Sequence, residues 1–319
     1  MKLFVRDLTV IDSSYLCERR GMVGESWLVD IEMSGELNEM SMLLDFGRVK
    51  KLIKSIIDEE VDHKLLVPAE CPLVHVHALD NDESTVDLLR PGRSIHLRCP
   101  TQGFAFIPAP QVDKESVTRY LLAVLAKRLP GNIKDLSLTL RQEKIEGAFY
   151  HYSHGLKKHD GNCQRIAHGH RSPVEIEVDG VRDEELELNW AERWADIYLG
   201  TQEDKVALSE LALSELAKAH LGEHHLGFKY VAPQGLFQLA MPAAEVEMID
   251  TDTTIELLAH YIAREVPPDA PLVVVRAGLG QVVLGDQPVN ELAARRLVHA
   301  EPSRQFGYAD IGRFLHFLE

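Results

Sequence analysis

The sequence has few cysteines, little basic charge and no long hydrophobic run, and each shortage argues against a class of protein. The four cysteines form no CxxC pair, a usage typical of the reducing cytoplasm, where we expect the protein. No apolar run approaches the roughly 20 residues of a membrane helix, and charge follows Met1 too soon for a signal peptide. The 34 basic against 50 acidic residues give a net charge of −16, which argues against nucleic-acid binding.

The acidic background has one exception, a segment in which basic residues outnumber acids. Residues 151–171 hold four Lys or Arg side chains, at 157, 158, 165 and 171, against the single acid Asp160. Such a segment is either a solvated loop or an opening that attracts anions.

The 319 residues suggest two domains, and the chain resembles a diverged tandem repeat. Residues 24–35 and 169–180 both alternate apolar and polar side chains up to a glycine, the pattern of a strand that ends in a turn. The repeat predicts two α+β units, residues 1–145 and 146–319, each with helices on one face of an antiparallel sheet.

Helices are predicted from apolar residues at three- and four-residue spacing. The clearest covers 46–57, and we expect its counterpart in the second unit at 208–221. An acidic segment around Trp190 and Trp194 is then an insertion, and 292–297 forms a helical extension beyond the repeat.

Three histidines in the second unit predict a metal site. His168 and His170 are two apart on a predicted strand, so both side chains leave the same face. His154 ends the preceding strand, and a hairpin would bring it beside the pair. Neutral imidazoles bind zinc, and an open catalytic site has three protein ligands. The alternative is three unrelated surface histidines.

Two further features bear on this site. His75 and His77 show the same spacing, but they have no third histidine on an adjoining hairpin strand, so we interpret them as structural. Cys163 lies in the loop before His168, where a thiol near a metal and basic side chains can serve as base or nucleophile. Alternatively Cys163 is an idle thiol, or a fourth ligand that would make the zinc structural.

The combination of motifs resembles the 6-pyruvoyl-tetrahydropterin synthase and 6-carboxytetrahydropterin synthase family, whose T-fold units join into barrels. The resemblance covers most of the chain, twice over. The matching segments are Ser153-His154-Gly155-Leu156, Cys163, His168-Gly169-His170, Leu44-Asp45-Phe46, Asp62-His63-Lys64-Leu65, Glu223-His224-His225-Leu226 and Thr254-Ile255-Glu256.

The resemblance implies a zinc-dependent lyase that acts on 7,8-dihydroneopterin triphosphate or a related pterin and assembles into a homo-oligomer. The basic loop would suit the triphosphate. The implied roles are Zn²⁺ ligation by His154, His168 and His170; catalysis by Cys163, Asp62, His63, Glu223 and His224; and substrate binding by Glu143, Thr254 and Glu256.

The first unit departs from the pattern. Ser14, Val23 and Glu25 stand where the three histidines are expected, so it should bind no zinc, and Arg276 stands near the place of a pterin-gripping glutamate in the second unit. We therefore expect one site per chain with parts from both units. A zinc-containing protein that binds or senses a pterin without turnover is the main alternative, and a different zinc hydrolase is a third.

Overall fold

Both halves of the chain run through the same order of strands and helices. The computed structural model describes residues 2–36, 46–266, 273–277 and 281–284. The predicted extension at 292–297, and Leu44 and Asp45 of the motif before the first helix, lie outside the described residues.

The first half contains eight strands and two helices within the described residues. They are β1 (Lys2–Cys17), β2 (Gly21–Gly35), α1 (Phe46–Glu60), β3 (Leu65–Pro68), β4 (Val74–Ala78), β5 (Glu83–Leu88), β6 (Ile95–Pro100), β7 (Phe104–Ile107), α2 (Lys114–Arg128) and β8 (Ile133–Arg141).

Within the described residues the second half repeats this order with two additional short strands and one additional helix. Its elements are β9 (Phe149–His154), β10 (His168–Val178), β11 (Val181–Arg182), α3 (Glu184–Arg193), β12 (Ile197–Thr201), β13 (Lys205–Val206), α4 (Glu215–His220), β14 (His225–Ala232), β15 (Gly235–Pro242), β16 (Val246–Ile249), α5 (Ile255–Glu265), β17 (Val273–Ala277) and β18 (Gln281–Leu284).

Each half builds a sheet of its own around its first hairpin. The first sheet has the order β7-β3-β1-β2-β8, and the second has β16-β12-β9-β10-β17-β18 with β11 on β10. Both are mixed rather than purely antiparallel as expected. The reason is that β3 and β12 return beside the first strand of their unit after a helical crossover and pair with it in parallel.

The helix that follows the first hairpin is α1 in one unit and α3 in the other. The apolar side chains of α1, among them Ile53 and Ile56, are buried as their spacing predicts. In the second unit the prediction was wrong, because the segment around Trp190 and Trp194 is α3 and not an insertion. Both indoles are buried against the second sheet, whereas 208–221 contains only a 3₁₀ turn and the short α4.

A third sheet is shared by the two halves, with the order β13-β14-β15-β6-β5-β4. Its two three-stranded parts meet where β15 pairs with β6 around Leu239 and Leu97. The order is symmetric about that pair, so the two units are related by an approximate twofold arrangement.

The first two sheets touch at two glycines. A Cβ added to Gly169 would lie 2.5 Å from Gly24 Cα, and one added to Gly24 would lie 2.7 Å from the His170 nitrogen. The buried Ser14 and Ser153 hydroxyls share a hydrogen bond of 2.6 Å at the same place. Glycine is required at both positions, since any larger residue would push the hairpins apart.

Within the described residues the sheets stay open and form no closed barrel, so a barrel built from several chains remains a prediction. Among those residues there is also no helix of the length and apolarity needed to cross a membrane.

Candidate active site

The hairpin of β9 and β10 brings the three predicted histidines together. His154 stands directly opposite His168 in the antiparallel ladder, and His170 follows two residues later on the same face. His154 and His168 are buried, while the His170 side chain is about 25% exposed. The cluster therefore has one side that faces out of the core.

The nitrogen atoms of this histidine cluster have the spacing of metal ligands. One ring nitrogen from each of the three lies within 4.8 Å of the others, and the Nε2 atoms of His154 and His170 are 3.2 Å apart. Two nitrogens on a tetrahedral zinc with bonds of about 2.0–2.1 Å would be separated by roughly 3.3 Å. The buried Nε2 of His168 finds no hydrogen-bond partner among the described residues. A cation between the rings would satisfy all three atoms.

The hydrogen bonds on the other side of two rings fix their tautomers. His168 Nδ1 lies 3.1 Å from the carbonyl oxygen of Arg165, which only accepts. His154 Nδ1 lies 3.0 Å from the hydroxyl of Thr253, which itself donates to Gly155 O. Both Nδ1 atoms therefore carry the proton, and both Nε2 atoms present a lone pair. Burial, and the neighbouring histidines, lower the pKa of both rings well below the usual value, which favours the neutral form that binds metals.

His170 is held by a residue of the other unit. Its Nδ1 lies 3.3 Å from Oδ1 of Asp12 on β1, and the same oxygen accepts a hydrogen bond of 2.5 Å from Ser26. Burial would raise the pKa of Asp12, but the interactions with His170 and Ser26 outweigh it and lower that pKa. Asp12 is therefore a carboxylate that accepts from the Nδ1–H of His170.

The first unit also places Asp62 and His63 beside the cluster. His63 Nδ1 lies 2.7 Å from Asp62 Oδ2, and the His63 ring packs 5.2 Å from the His168 ring. The half-buried Cys163 belongs to the same group, since its sulfur and ring nitrogens of His63 and His168 lie within 4.8 Å of one another. The pair Asp62–His63 and the thiol thus come from different units.

His63 has the properties of a proton carrier. Burial lowers its pKa, but hydrogen bonds to Asp62 and Cys163 outweigh burial and raise the pKa to about 10. A raised pKa favours the protonated ring, which lies between the Asp62 carboxylate and the Cys163 sulfur and can donate a proton there.

The backbone at His63 is left-handed, with φ of 53°, a conformation that costs on the order of 1 kcal/mol for such a residue. The surrounding groups hold it in place. Its N–H donates to Asp12 O at 2.8 Å, and the buried guanidinium of Arg165 donates to the carbonyl oxygens of Asp62 and His63. Arg165 therefore helps to fix the pair beside Cys163.

Other predicted site residues lie elsewhere. Glu223 and His224 are exposed in the turn before β14, and the His224 ring contacts the ring of His225 of the third sheet in a tilted arrangement. None of their described contacts reaches the histidine cluster. The counterpart of His63, immediately before β12, is Asp196, whose φ of 59° is also positive.

The predicted substrate-binding residues lie at the margins of this region. Glu143 is exposed after β8, and its carbonyl oxygen accepts from Arg171 on β10. Thr254 is the N-cap of α5, where its side chain accepts from Leu257 N, and Glu256 is exposed in the first turn.

The two lysines of the basic segment are paired with acids and do not form an open anion site. Lys157 forms ion pairs with Glu203 and Asp204, and Lys158 does so with Glu203 and Asp252. Because acids from other loops neutralise these lysines, the described contacts do not single out a place for a triphosphate.

The first unit has no histidine where the second has its cluster. By the ladder register Ser14 pairs with Gly24 as Ser153 pairs with Gly169, so Tyr15, rather than Ser14, is the counterpart of His154. Val23 and Glu25 keep the places expected for them. The Tyr15 hydroxyl accepts a hydrogen bond from Arg20, which pairs with Asp196, so an ion pair takes the place of the second site.

The sequence did not reveal the residues that hold the three histidines through Nδ1, which are Asp12, Thr253 and Arg165. Thr253 lies one position before the predicted Thr254. Asp12 carries no motif, and only the distance from β1 to β10 in space identifies it. Arg165 was noted for its charge, but its role depends on the fold.

Comparisons with known proteins agree with these features. The model of the family 6-pyruvoyl tetrahydropterin synthase matches residues 14–151 and again 144–281. Two proteins provisionally named 6-carboxy-5,6,7,8-tetrahydropterin synthase are similar to the chain. The Methanocaldococcus jannaschii protein is 26% identical over 132 residues, 40% of this chain and 77% of that protein. The Pyrococcus horikoshii protein is 23% identical over 133 residues, 42% of this chain and 76% of that protein.

Among solved structures, the 6-pyruvoyl tetrahydropterin synthase of Plasmodium vivax aligns over 45% of this chain and 98% of its own. The identity is 14% and the TM-score 0.34, values too low to bear on function.

The repeated match and the repeated order of elements define the class of protein, a tandem pair of T-fold units with α+β architecture. The chain belongs to the 6-pyruvoyl tetrahydropterin synthase family and is a synthase-like lyase.

Proposed function

We propose that this protein is a zinc-dependent pterin lyase that acts on 7,8-dihydroneopterin triphosphate or a related pterin. Its product would be of the 6-carboxytetrahydropterin type or belong to the folate branch, in line with the names of the two archaeal relatives. The observation that carries the proposal is the meeting of His63 from the first unit with Cys163 and the three-histidine cluster of the second.

The donor set fits a catalytic zinc. Three imidazoles with converging nitrogens leave a fourth position free for a substrate oxygen, as in other catalytic zinc sites. A zinc ion held by His154, His168 and His170 would polarise the hydroxyl groups of the substrate side chain and make neighbouring C–H bonds more acidic.

The residues beside the cluster supply the proton transfers. A thiolate is the form of cysteine that accepts a proton from substrate carbon, and Cys163 lies beside the His63 ring, whose raised pKa favours its protonated form. Asp62 holds the His63 ring through Nδ1, so that Nε2 is free to return or relay the proton. Asp62 and Arg165 hold His63 in place beside Cys163 while the proton moves.

A carboxylate is the suitable anchor for a pterin ring, because the ring presents adjacent N–H and amino donors. We assign this role to Glu143, which follows β8 and lies where Arg171 binds its main chain. Thr254 and Glu256, at the start of α5, are the second candidates for substrate contact.

The proposal is tested by metal analysis and by products. Purified protein should hold one zinc per chain, and incubation with 7,8-dihydroneopterin triphosphate should yield a converted pterin by mass spectrometry. His168→Ala should lose the metal and keep its circular dichroism spectrum. His75→Ala is the matched control, because His75 has the same two-apart spacing with His77 but lies exposed on β4. Full zinc occupancy in His168→Ala would refute the ligand assignment.

The main alternative, a pterin-binding protein without turnover, makes a different prediction. It would bind zinc and pterin but release the substrate unchanged. Single-turnover experiments at high enzyme concentration therefore separate the two functions, since even slow chemistry would convert one equivalent.

We further propose that the chain forms a homo-oligomer in the cytoplasm. The first sheet ends on β7 and β8 among the described residues, and open strand edges favour association with another copy. Light scattering after size-exclusion chromatography measures the mass in solution, and a mass of one chain at micromolar concentration would contradict this part.

A further inference from the structure

Asp12 connects the histidine cluster to the Asp62–His63 pair. Its side chain lies 3.3 Å from His170 Nδ1, whereas its backbone N–H donates to Asp62 Oδ1 at 2.9 Å and its carbonyl oxygen accepts from His63 N at 2.8 Å. A single residue of β1 thus touches a predicted metal ligand through its side chain and the proton carrier through its main chain.

His170 differs from the other two ligands in the partner that holds it. Thr253 and Arg165 offer neutral oxygens to His154 and His168, while Asp12 offers a carboxylate. A carboxylate behind a ligating imidazole fixes the ring and makes its Nε2 a stronger donor to the metal. Because His170 is also the most exposed ring of the cluster, packing restrains it least, and the hydrogen bond that it donates to Asp12 has the most to contribute there.

The Asp12 side chain is itself fixed by its neighbours. Ser26 donates to its Oδ1 at 2.5 Å, and the Ser26 hydroxyl accepts from the Arg171 N–H of β10 at 3.1 Å. The carboxylate therefore belongs to a short hydrogen-bond network between β1, β2 and β10, and this network fixes its orientation towards His170.

We infer that Asp12, a residue of the unit that lacks metal ligands, is a positioning residue for His170 and thereby sets the metal affinity of the other unit. The inference rests on the proposed function, since it assumes that the histidine cluster binds zinc. It adds a role for the first unit that is separate from the contribution of Asp62 and His63.

The side-chain and main-chain roles of Asp12 can be separated by substitution. Asp12→Asn and Asp12→Ser keep both backbone hydrogen bonds to the Asp62–His63 segment and remove only the carboxylate. Loss of such a partner behind a metal-bound histidine typically lowers metal affinity 10–100-fold. Asp30→Asn is the matched control, because Asp30 is a buried carboxylate of β2 bound to Arg6 and Arg141 on the same sheet.

The experiment measures zinc affinity by competition with a chromophoric chelator, together with thermal unfolding and the visible spectrum of the Co²⁺-substituted protein. We expect Asp12→Asn to bind zinc at least about 10-fold more weakly and to shift the Co²⁺ absorption bands, whereas Asp30→Asn changes neither. A purely structural role would lower the unfolding temperature and leave the Co²⁺ bands in place.

The outcomes are distinguishable. If wild type binds zinc and a folded Asp12 variant binds it as tightly, the inference is wrong while the proposed function stands. If wild type binds no zinc, the proposed function fails and the inference fails with it. Asp12→Ser answers the question if Asp12→Asn does not fold, because its smaller side chain introduces no buried amide.

Discussion

The close approach of the two hairpins at Gly24 predicts that one added methyl group will damage both the fold and the site. In Gly24→Ala the new Cβ would lie 2.6 Å from the Tyr152 carbonyl carbon and 2.7 Å from the His170 nitrogen. The Tyr152 carbonyl oxygen would lie nearer still. All three are backbone atoms that cannot rotate away, so β2 would have to retreat by more than about 1 Å to reach ordinary contacts of 3.4 Å.

The expected loss of stability follows from three contributions. Overpacking of this kind costs about 1–3 kcal/mol. The Ser14–Ser153 hydrogen bond and the one between His151 Nδ1 and Gly24 O lie at the same contact, and each contributes about 1 kcal/mol. We therefore expect Gly24→Ala to lower the free energy of unfolding by about 3–5 kcal/mol, a large part of the stability of an ordinary domain.

Urea unfolding followed by circular dichroism measures this loss, and chelator competition measures zinc affinity in parallel. Affinity should fall because retreat of the first sheet withdraws Asp12 from His170. Gly131→Ala is the control, since a Cβ there meets no atom within 4 Å. If Gly24→Ala unfolds within about 0.5 kcal/mol of the control, the range of an ordinary surface substitution, the proposed contact between the hairpins is wrong.

Four further predictions concern the chemistry. Cys163→Ala should keep its zinc and lose turnover by at least about 100-fold; loss of zinc would instead make Cys163 a ligand. His63→Ala should also retain zinc and lose about 100-fold in kcat, and unchanged kcat in stopped-flow assays would remove His63 from the mechanism. Glu143→Ala should abolish pterin binding in calorimetry and spare zinc, whereas wild-type affinity would place the ring elsewhere. In the metal-free protein the depressed pKa values of His154 and His168 mean that below a pH of about 6.5 the unfolded chain binds protons that the folded chain does not. Stability should then fall from pH 6.5 towards 5 by at most about 1.4 kcal/mol per pH unit for each ring, and a flat profile in urea titrations would contradict their burial as neutral rings.

The sequence predicted the grouping of His154, His168 and His170, which the structure shows, because the information for it is local. Two histidines two apart on a strand, with a third ending the strand before, meet through a single hairpin. The prediction of an insertion around Trp190 and Trp194 was wrong because the many acids near them obscure the four-residue spacing of a buried helix face. In the first unit the predicted counterpart of His154 was wrong by one position. The ladder register places Tyr15 there and not Ser14, and a shift of one residue along a strand changes which face a side chain occupies.

The remaining features depend on contacts between residues far apart in the chain. The third sheet joins Gln238 to Arg98, and no local pattern reports such a pairing. Asp12 and His170 likewise lie on different units, and nothing in the residues around Asp12 marks it as a partner of a metal ligand. Periodicity in the sequence predicts helices and strands, but it carries no information on which elements of the two units pair with each other.

The shared third sheet has a consequence for how the two units can diverge. In a symmetric homodimer every substitution appears twice, so a change that improves one site also alters the other. Here β6 and β15 join two different halves of one chain, and a substitution in either half is made once. One hairpin can therefore exchange histidines for Tyr15, Val23 and Glu25 while its partner keeps the cluster, and the altered half remains held in register by the strands it shares.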